Sequence, residues 1–139
     1  MGINGKENGM TSEERAELGA RYKAQMNCCQ AVVRAFADTV EWDEETLLSL
    51  ASGFGSGIGT MEGTCGALVG AVMIFGLRTD GKKGRLSREI LTRFKARCGA
   101  VTCRELKGAG TGIALCSCEN CVRNAILALE EVLAADAAG

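Results

Sequence analysis

One short stretch of the sequence passes from a loop into a buried helix, and it limits what the chain can fold into. Glycine occupies every second position from 53 to 59, a pattern that is costly inside a helix. The residues from Cys65 to Leu77 are then apolar or glycine, which predicts a buried helix that is too short to span a bilayer. Gly66 and Gly70 lie four residues apart on one face of this helix, so we expect another backbone to approach it closely there.

The composition favours helices throughout. The 139 residues include no proline and only six aromatic residues, and long strand-type alternation is absent, so the sequence predicts an all-α class. We expect a flexible N-terminal tail, residues 1–10, followed by one compact helical domain, residues 11–139. This domain should contain about five or six helices, with the Gly-rich loop before a central buried helix. In the last helix, apolar residues recur every three or four positions, which turns Cys121 toward the core.

The chain has eight cysteines and no histidine. Its first ten residues are polar and glycine-rich, unlike a secretory signal peptide, so we expect a cytoplasmic protein. In a reducing compartment, so many cysteines favour metal binding or catalytic thiols over a structural disulfide framework. The absence of histidine excludes a Cys–His nucleophilic pair, a histidine-ligated haem and a mixed Cys/His zinc site.

Cys65 lies where the Gly-rich loop meets the buried helix. Thr64 is a good N-cap, so we expect Cys65 in the first helical turn. The helix dipole and the unshielded amides of the loop favour the thiolate of a cysteine at this position. Cys65 is therefore the nucleophile that the sequence predicts.

The segment from Gly63 to Gly70 resembles the CGAxxG signature of C_GCAxxG_C_C, a bacterial and archaeal family of redox-active proteins named for its spaced cysteines. The resemblance covers roughly residues 11 to 135. It is supported by residues 27–32, the Gly-rich loop, residues 103–108 and the late Cys121. It implies a redox function and places the four family cysteines at Cys28, Cys65, Cys103 and Cys121.

Each of these four cysteines lies at or near a predicted helix start. The predicted caps are Asn27, Thr64, Thr102 and Ser117. If the four helix N-termini converge, their amide dipoles make a positive pocket that stabilises thiolates or an anionic cluster. The predicted site is therefore one pocket that collects a sulfur from each of four helix starts.

Three kinds of chemistry fit such a site. The first is an iron–sulfur cluster for electron transfer, and the second is a dithiol that cycles with its disulfide; either would make the protein a thiol or iron–sulfur oxidoreductase. The third is a structural four-cysteine zinc site in a helical interaction module without redox activity. The four family cysteines are the expected catalytic residues or ligands in each case.

A second grouping of cysteines is also open. The sequence C-x-C-x-x-C near the start of the last helix brings three sulfurs within reach of one ion. The alternative ligand set is therefore Cys103, Cys116, Cys118 and Cys121, and Cys98 could replace Cys103. In the preferred grouping, four cysteines lie outside the site: Cys29, Cys98, Cys116 and Cys118.

Positive charge is concentrated in one stretch of a chain whose net charge is −1. Residues 78–107 contain ten Lys and Arg residues against three acidic ones. This stretch is either a solvated helix face or a docking face for an acidic redox partner or an anionic substrate. Nucleic acid is disfavoured because few aromatic residues accompany the charges, whereas a homodimer remains open.

Overall fold

The computed structural model describes residues 9–139, and within them the chain forms helices and turns without a β-strand. The predicted all-α class is confirmed, with seven α-helices in the described residues rather than five or six. Residues 1–8 of the predicted tail lie outside the described residues. The helices are α1 (Ser12–Tyr22), α2 (Cys28–Ala35), α3 (Glu44–Ala51), α4 (Gly66–Arg78), α5 (Ser87–Cys98), α6 (Cys103–Lys107) and α7 (Cys118–Ala138).

Helix α4 is the central element of the fold, packed against α2, α5 and α7. Its side chains Leu68, Ile74 and Phe75 are almost completely buried, as its apolar sequence predicts. A Cβ added to Gly70 would lie 2.9 Å from the carbonyl oxygen of Cys29 in α2. The expected close approach of another backbone is therefore confirmed, and α2 is the partner.

Helix α7 is the longest helix and lies against α1, α4 and α5. Cys121, Ile126 and Leu129 are buried along one face of it, as the three- and four-residue periodicity predicts. On its exposed side, Glu131 pairs with Arg93 of α5 at 3.2 Å and also with Arg97. The packing of α5 along α7 carries the end of α5 to the beginning of α7, where the cysteines of the two helices meet.

The Gly-rich loop coils tightly between α3 and α4. Residues Gly57–Met61 form a wide helical turn in which Ile58 has a φ of 58°, a left-handed conformation that is strained for a β-branched residue. Gly57 has a φ of 59°, and a Cβ there would lie 2.8 Å from the Cβ of Cys103. Glycine at this position therefore allows the loop to pass directly over a cysteine.

Arg15 is fully buried and joins three helices. Its guanidinium donates to the carbonyl oxygen of Ala35 at the end of α2 and to Asp38 at 2.8 Å. Its Nε lies 3.7 Å from the carboxylate of Glu130 in α7. A buried cation needs such partners, so this network holds α1, α2 and α7 in a fixed arrangement.

Candidate functional site

One cavity of about 70 Å³ lies where the N-terminal ends of α2, α4, α6 and α7 come together. This volume is several times the roughly 10–15 Å³ that a water molecule needs, so it suits a small group or ion. All four family cysteines line the cavity, and so do two further cysteines of the alternative set. The lining cysteines are Cys28, Cys65, Cys103, Cys116, Cys118 and Cys121.

Local capping explains how three of the four helix starts present their sulfurs. The side chains of Asn27, Thr102 and Ser117 accept hydrogen bonds from amides in the first turns of α2, α6 and α7. Asn27 also donates to the carbonyl oxygen of Ser52, which ties α2 to the beginning of the Gly-rich loop. These three caps were predicted from the sequence and are confirmed.

The predicted cap at Thr64 is wrong, because the N-cap of α4 is Cys65 itself. The amide of Cys65 donates to the carbonyl oxygen of Val101 at 2.7 Å, and the amide of Cys103 donates to Gly63 at 3.1 Å. This short antiparallel bridge holds Cys65 in a non-helical conformation, so the helix begins one residue later. The bridge also joins the start of α4 to the start of α6.

Gly66 allows Cys28 to approach Cys65. A Cβ at position 66 would lie 2.7 Å from the Sγ of Cys28 and 2.4 Å from the carbonyl oxygen of Phe54. Real Cβ atoms do not occur at such distances, and the Phe54 oxygen belongs to the backbone, which cannot easily move away. The glycine that follows the cysteine in CGAxxG is therefore needed for the close packing of the sulfurs.

The surroundings of the Cys65 sulfur favour its thiolate form. Hydrogen bonds donated by the thiols of Cys121 and Cys28 lower the pKa of Cys65 to about 3, and the amides of Ala67 and Leu68 assist them against the opposing effect of burial. These amides stabilise the charge of the Cys65 thiolate, although its side chain accepts no N-cap hydrogen bond from either of them. Donation to Cys65 and burial raise the pKa values of Cys28 and Cys121 above the ordinary value. Of these three sulfurs, that of Cys65 is therefore the one whose surroundings favour the thiolate.

A second sulfur cluster, formed by Cys98, Cys116 and Cys121, adjoins the first. Their three sulfurs all lie within 4.8 Å of one another, and those of Cys98 and Cys116 are 3.5 Å apart. The amides of Leu115 and Cys116 both donate to the carbonyl oxygen of Leu106, which holds the loop before α7 against α6. Because their sulfurs lie so close together, these three cysteines could hold a metal ion.

This cluster bears on both groupings of the cysteines. Cys116 and Cys118 line the cavity together with the four family cysteines, and the sulfur of Cys116 lies 3.5 Å from that of Cys98. The spacing C-x-C-x-x-C indicated Cys116 and Cys121, and Cys98 was an alternative fourth ligand, but no local signal placed it beside them. Only the packing of α5 against α7 brings Cys98 there, 18 positions before Cys116 in the chain.

Cys103 and Cys118 lie on the side of the cavity where Lys107 is found. Burial raises the pKa of the Cys103 thiol, while the nearby ammonium group of Lys107 opposes this change. Burial would lower the pKa of Lys107, but the sulfurs of Cys118 and Cys103 outweigh that effect and raise it. Lys107 and Lys23 therefore supply positive charge at the cavity that the six cysteines line.

Cys29 stands apart from this cavity. Its side chain is completely buried, and its sulfur lies 3.8 Å from the sulfur of Met73 in α4. Burial raises its pKa to about 12, so it remains a neutral thiol. Cys29 is a packing residue, in agreement with its expected direction about 100° around the helix from Cys28.

The basic stretch 78–107 is partly neutralised by α7. Lys83 pairs with Asp136 at 2.8 Å, while Arg93 and Arg97 share Glu131. Arg104 and Lys107 remain exposed close to the cavity. None of the helices described here has the length and apolar character needed to cross a membrane.

A comparison with known protein families matches residues 26–132, which is most of the chain, to the family described as "Putative redox-active protein (C_GCAxxG_C_C)". The matched range includes all eight cysteines. No curated protein and no solved structure matches the chain. The chain therefore belongs to the C_GCAxxG_C_C family of redox-active proteins.

Proposed function

We propose that this protein is a thiol–disulfide redox protein in which Cys65 is the reactive thiolate and Cys28 is its resolving thiol. The observation that carries the proposal is that Cys28 and Cys65 line one cavity, with the Cys28 sulfur packed against Gly66, the residue that follows Cys65. The Cys121 and Cys28 thiols also lower the pKa of Cys65, which favours its thiolate. A low-pKa thiolate beside a second thiol is the arrangement that dithiol oxidoreductases use.

Written from the reduced protein, the reaction moves two electrons to a disulfide substrate, and the reverse of the same steps oxidises two partner thiols. The Cys65 thiolate attacks one substrate sulfur, the substrate S–S bond breaks, and the other substrate sulfur leaves as a thiolate. The Cys28 thiol then loses its proton and attacks the Cys65 sulfur, which forms the Cys28–Cys65 disulfide and releases the second substrate thiolate. One released thiolate takes up the Cys28 proton and the other takes a proton from solvent, so two protein cysteines are oxidised and one substrate disulfide is reduced.

The low pKa of Cys65 determines whether oxidation or reduction of the protein is the more favourable direction of thiol–disulfide exchange. Stabilisation of its thiolate favours the reduced form of the protein, so the disulfide form is a ready acceptor of electrons. We therefore expect a reduction potential above the roughly −270 mV of thioredoxin. The favoured direction is therefore the reverse of the steps above, in which the protein disulfide is reduced and two partner thiols are joined in a disulfide.

Peptide mapping after mild oxidation tests the assignment. The wild-type protein should lose two thiols and yield a peptide that joins Cys28 to Cys65. Cys28→Ser should abolish this bond, while Cys29→Ser is the matched control, because Cys29 is adjacent in sequence but packs against Met73. A disulfide that joins other cysteines, or one that persists in Cys28→Ser, would show that the pair is wrong.

A second candidate is an iron–sulfur cluster held by Cys28, Cys65, Cys103 and Cys121. The observation in its favour is that all four sulfurs line the same cavity as Lys23 and Lys107, whose charges would offset those of an anionic cluster. Such a cluster would supply one-electron transfer. Anaerobic purification from iron-replete cells tests it, since a colourless, iron-free protein with a working Cys28–Cys65 pair would exclude it.

The partner that we propose is an acidic redox protein that approaches the exposed Arg104 and Lys107. These two cations lie near the cavity, and charge complementarity mainly accelerates encounter at low salt. Charge reversal at Arg104, which does not line the cavity, should slow electron exchange with such a partner and weaken its salt dependence. An unchanged rate would show that this face is only solvated.

A further inference from the structure

We propose that Cys98, Cys116 and Cys121 form a zinc site with three thiolate ligands and an open fourth position. This ligand set differs from the four family cysteines, because two of its members, Cys98 and Cys116, are not among them. It shares Cys121 with the redox site, so the two sites are adjacent without being the same.

The spacing of the three sulfurs fits one ion. Zinc binds thiolates at about 2.3 Å with tetrahedral angles, which separates two bound sulfurs by about 3.8 Å. The sulfurs of Cys98 and Cys116 are 3.5 Å apart, and all three pairs lie within 4.8 Å. An ion at the centre of this triangle therefore needs only small side-chain movements to reach all three ligands.

Asn124 is placed to orient two of the ligands. It lies one turn after Cys121 in α7, and its Nδ2 donates to the sulfur of Cys98 at 3.4 Å and towards that of Cys116 at 3.9 Å. Amide donors directed at sulfur stabilise thiolates and fix their direction, which is how outer-shell groups support metal ligands. Random packing of cysteines does not require a side-chain amide directed at two of their sulfurs.

The fourth position faces the cavity. Cys116 and Cys121 line the cavity, whereas Cys98 closes the site from the side of α5 and is 4% exposed. Zinc with three thiolates carries one net negative charge, and Lys23 and Lys107 on the same cavity offset it. Three protein ligands and an open position toward a cavity are typical of zinc sites that bind a water or substrate, and thiolate ligands favour soft ions over Mg²⁺ or Ca²⁺.

Zinc binding releases the thiol protons of the three cysteine ligands, so the affinity of the site for zinc should rise with pH. Bound zinc would also remove the Cys121 thiol from Cys65 and thereby alter the redox pair; this last consequence rests on the proposed function. The metal site itself does not depend on it.

Titration of the reduced full-length protein with Co²⁺ and then Zn²⁺, under anaerobic conditions, tests the proposal. Wild-type protein should bind one equivalent of Co²⁺ with the visible charge-transfer bands of thiolate ligands, and Zn²⁺ should displace it. Cys98→Ser and Cys116→Ser should each lower Zn²⁺ affinity by at least about 100-fold, and Asn124→Ala should lower it by about 10–100-fold, as for other outer-shell partners. Circular dichroism of each apo variant checks folding, and Cys116, which is only half-buried, provides the safer substitution.

Two controls separate this site from the redox pair. Cys29→Ser should leave both properties unchanged, while Cys28→Ser should lose the disulfide and keep the metal. Loss of Co²⁺ binding in Cys28→Ser or Cys103→Ser, with Cys98→Ser unaffected, would overturn the proposal in favour of the family cysteines. Absence of binding in the wild type, or a Cys98–Cys116 disulfide that persists under reducing conditions, would also overturn it.

Discussion

Substitution of Gly66 by alanine tests whether the glycine of CGAxxG is required by the contact between α4 and its neighbours. The added Cβ would lie 2.4 Å from the carbonyl oxygen of Phe54 and 2.7 Å from the Sγ of Cys28. The first atom belongs to the backbone of the Gly-rich loop, and the second is the sulfur of Cys28, a residue at the beginning of α2 that is only 8% exposed. Either the loop or α2 must move, so we expect both stability and the sulfur site to change.

The magnitude follows from comparable overpacking. Inserting a methyl group into a close-packed interior costs typically about 1–3 kcal/mol, and a backbone obstacle places Gly66→Ala toward the upper end. Gly76 in the same helix is the matched control, because a Cβ there meets nothing within 4 Å. Gly76→Ala should therefore stabilise the protein by about 0.5–1 kcal/mol through the helix propensity of alanine.

Urea unfolding of the reduced proteins, followed by circular dichroism, measures both changes. Gly66→Ala should also slow formation of the Cys28–Cys65 disulfide, because it pushes the Cys28 sulfur away from Cys65, whereas Gly76→Ala should not. A Gly66→Ala protein that is as stable as the wild type would refute the close contact. Loss of stability with an unchanged rate of disulfide formation would refute the link between Gly66 and the sulfurs.

Three further predictions concern charge and capping. The pKa of Cys65 in the folded protein, about 3, lies below the ordinary 9.0. The contribution of its thiolate to stability is therefore fully present above pH 9 and is lost as the pH falls toward 3. Ultraviolet absorbance of the thiolate should persist at pH 5 in the wild type and decrease in Cys65→Ser. Arg15→Met should lower the free energy of unfolding by about 3 kcal/mol, because it removes the buried cation that Asp38, Glu130 and the carbonyl oxygen of Ala35 share. A loss below about 1 kcal/mol by urea unfolding would contradict this. Asn27→Ala should cost about 1–2 kcal/mol through loss of the α2 cap and of the bond to Ser52, and an unchanged urea midpoint would argue against that role.

The sequence by itself determined features that depend on residues a few positions apart. The caps at Asn27, Thr102 and Ser117 follow from one side chain and the amide three residues later. The inward direction of Cys121 follows from helical periodicity, and the close approach at Gly70 follows from the lack of a side chain. Such features require no knowledge of which helix will be the neighbour.

The tertiary structure decided which sulfurs meet. Cys98 joins Cys116 and Cys121 because α5 packs along α7, and nothing near Cys98 in the sequence specifies that packing. The hydrogen bond from Cys65 to Val101 likewise overrides the local preference for a cap at Thr64, since a backbone hydrogen bond to a distant segment keeps Cys65 out of the helical conformation. Distances between sulfurs depend on the positions of whole helices, and those positions are set by the burial of apolar surface across the entire core rather than by local spacing.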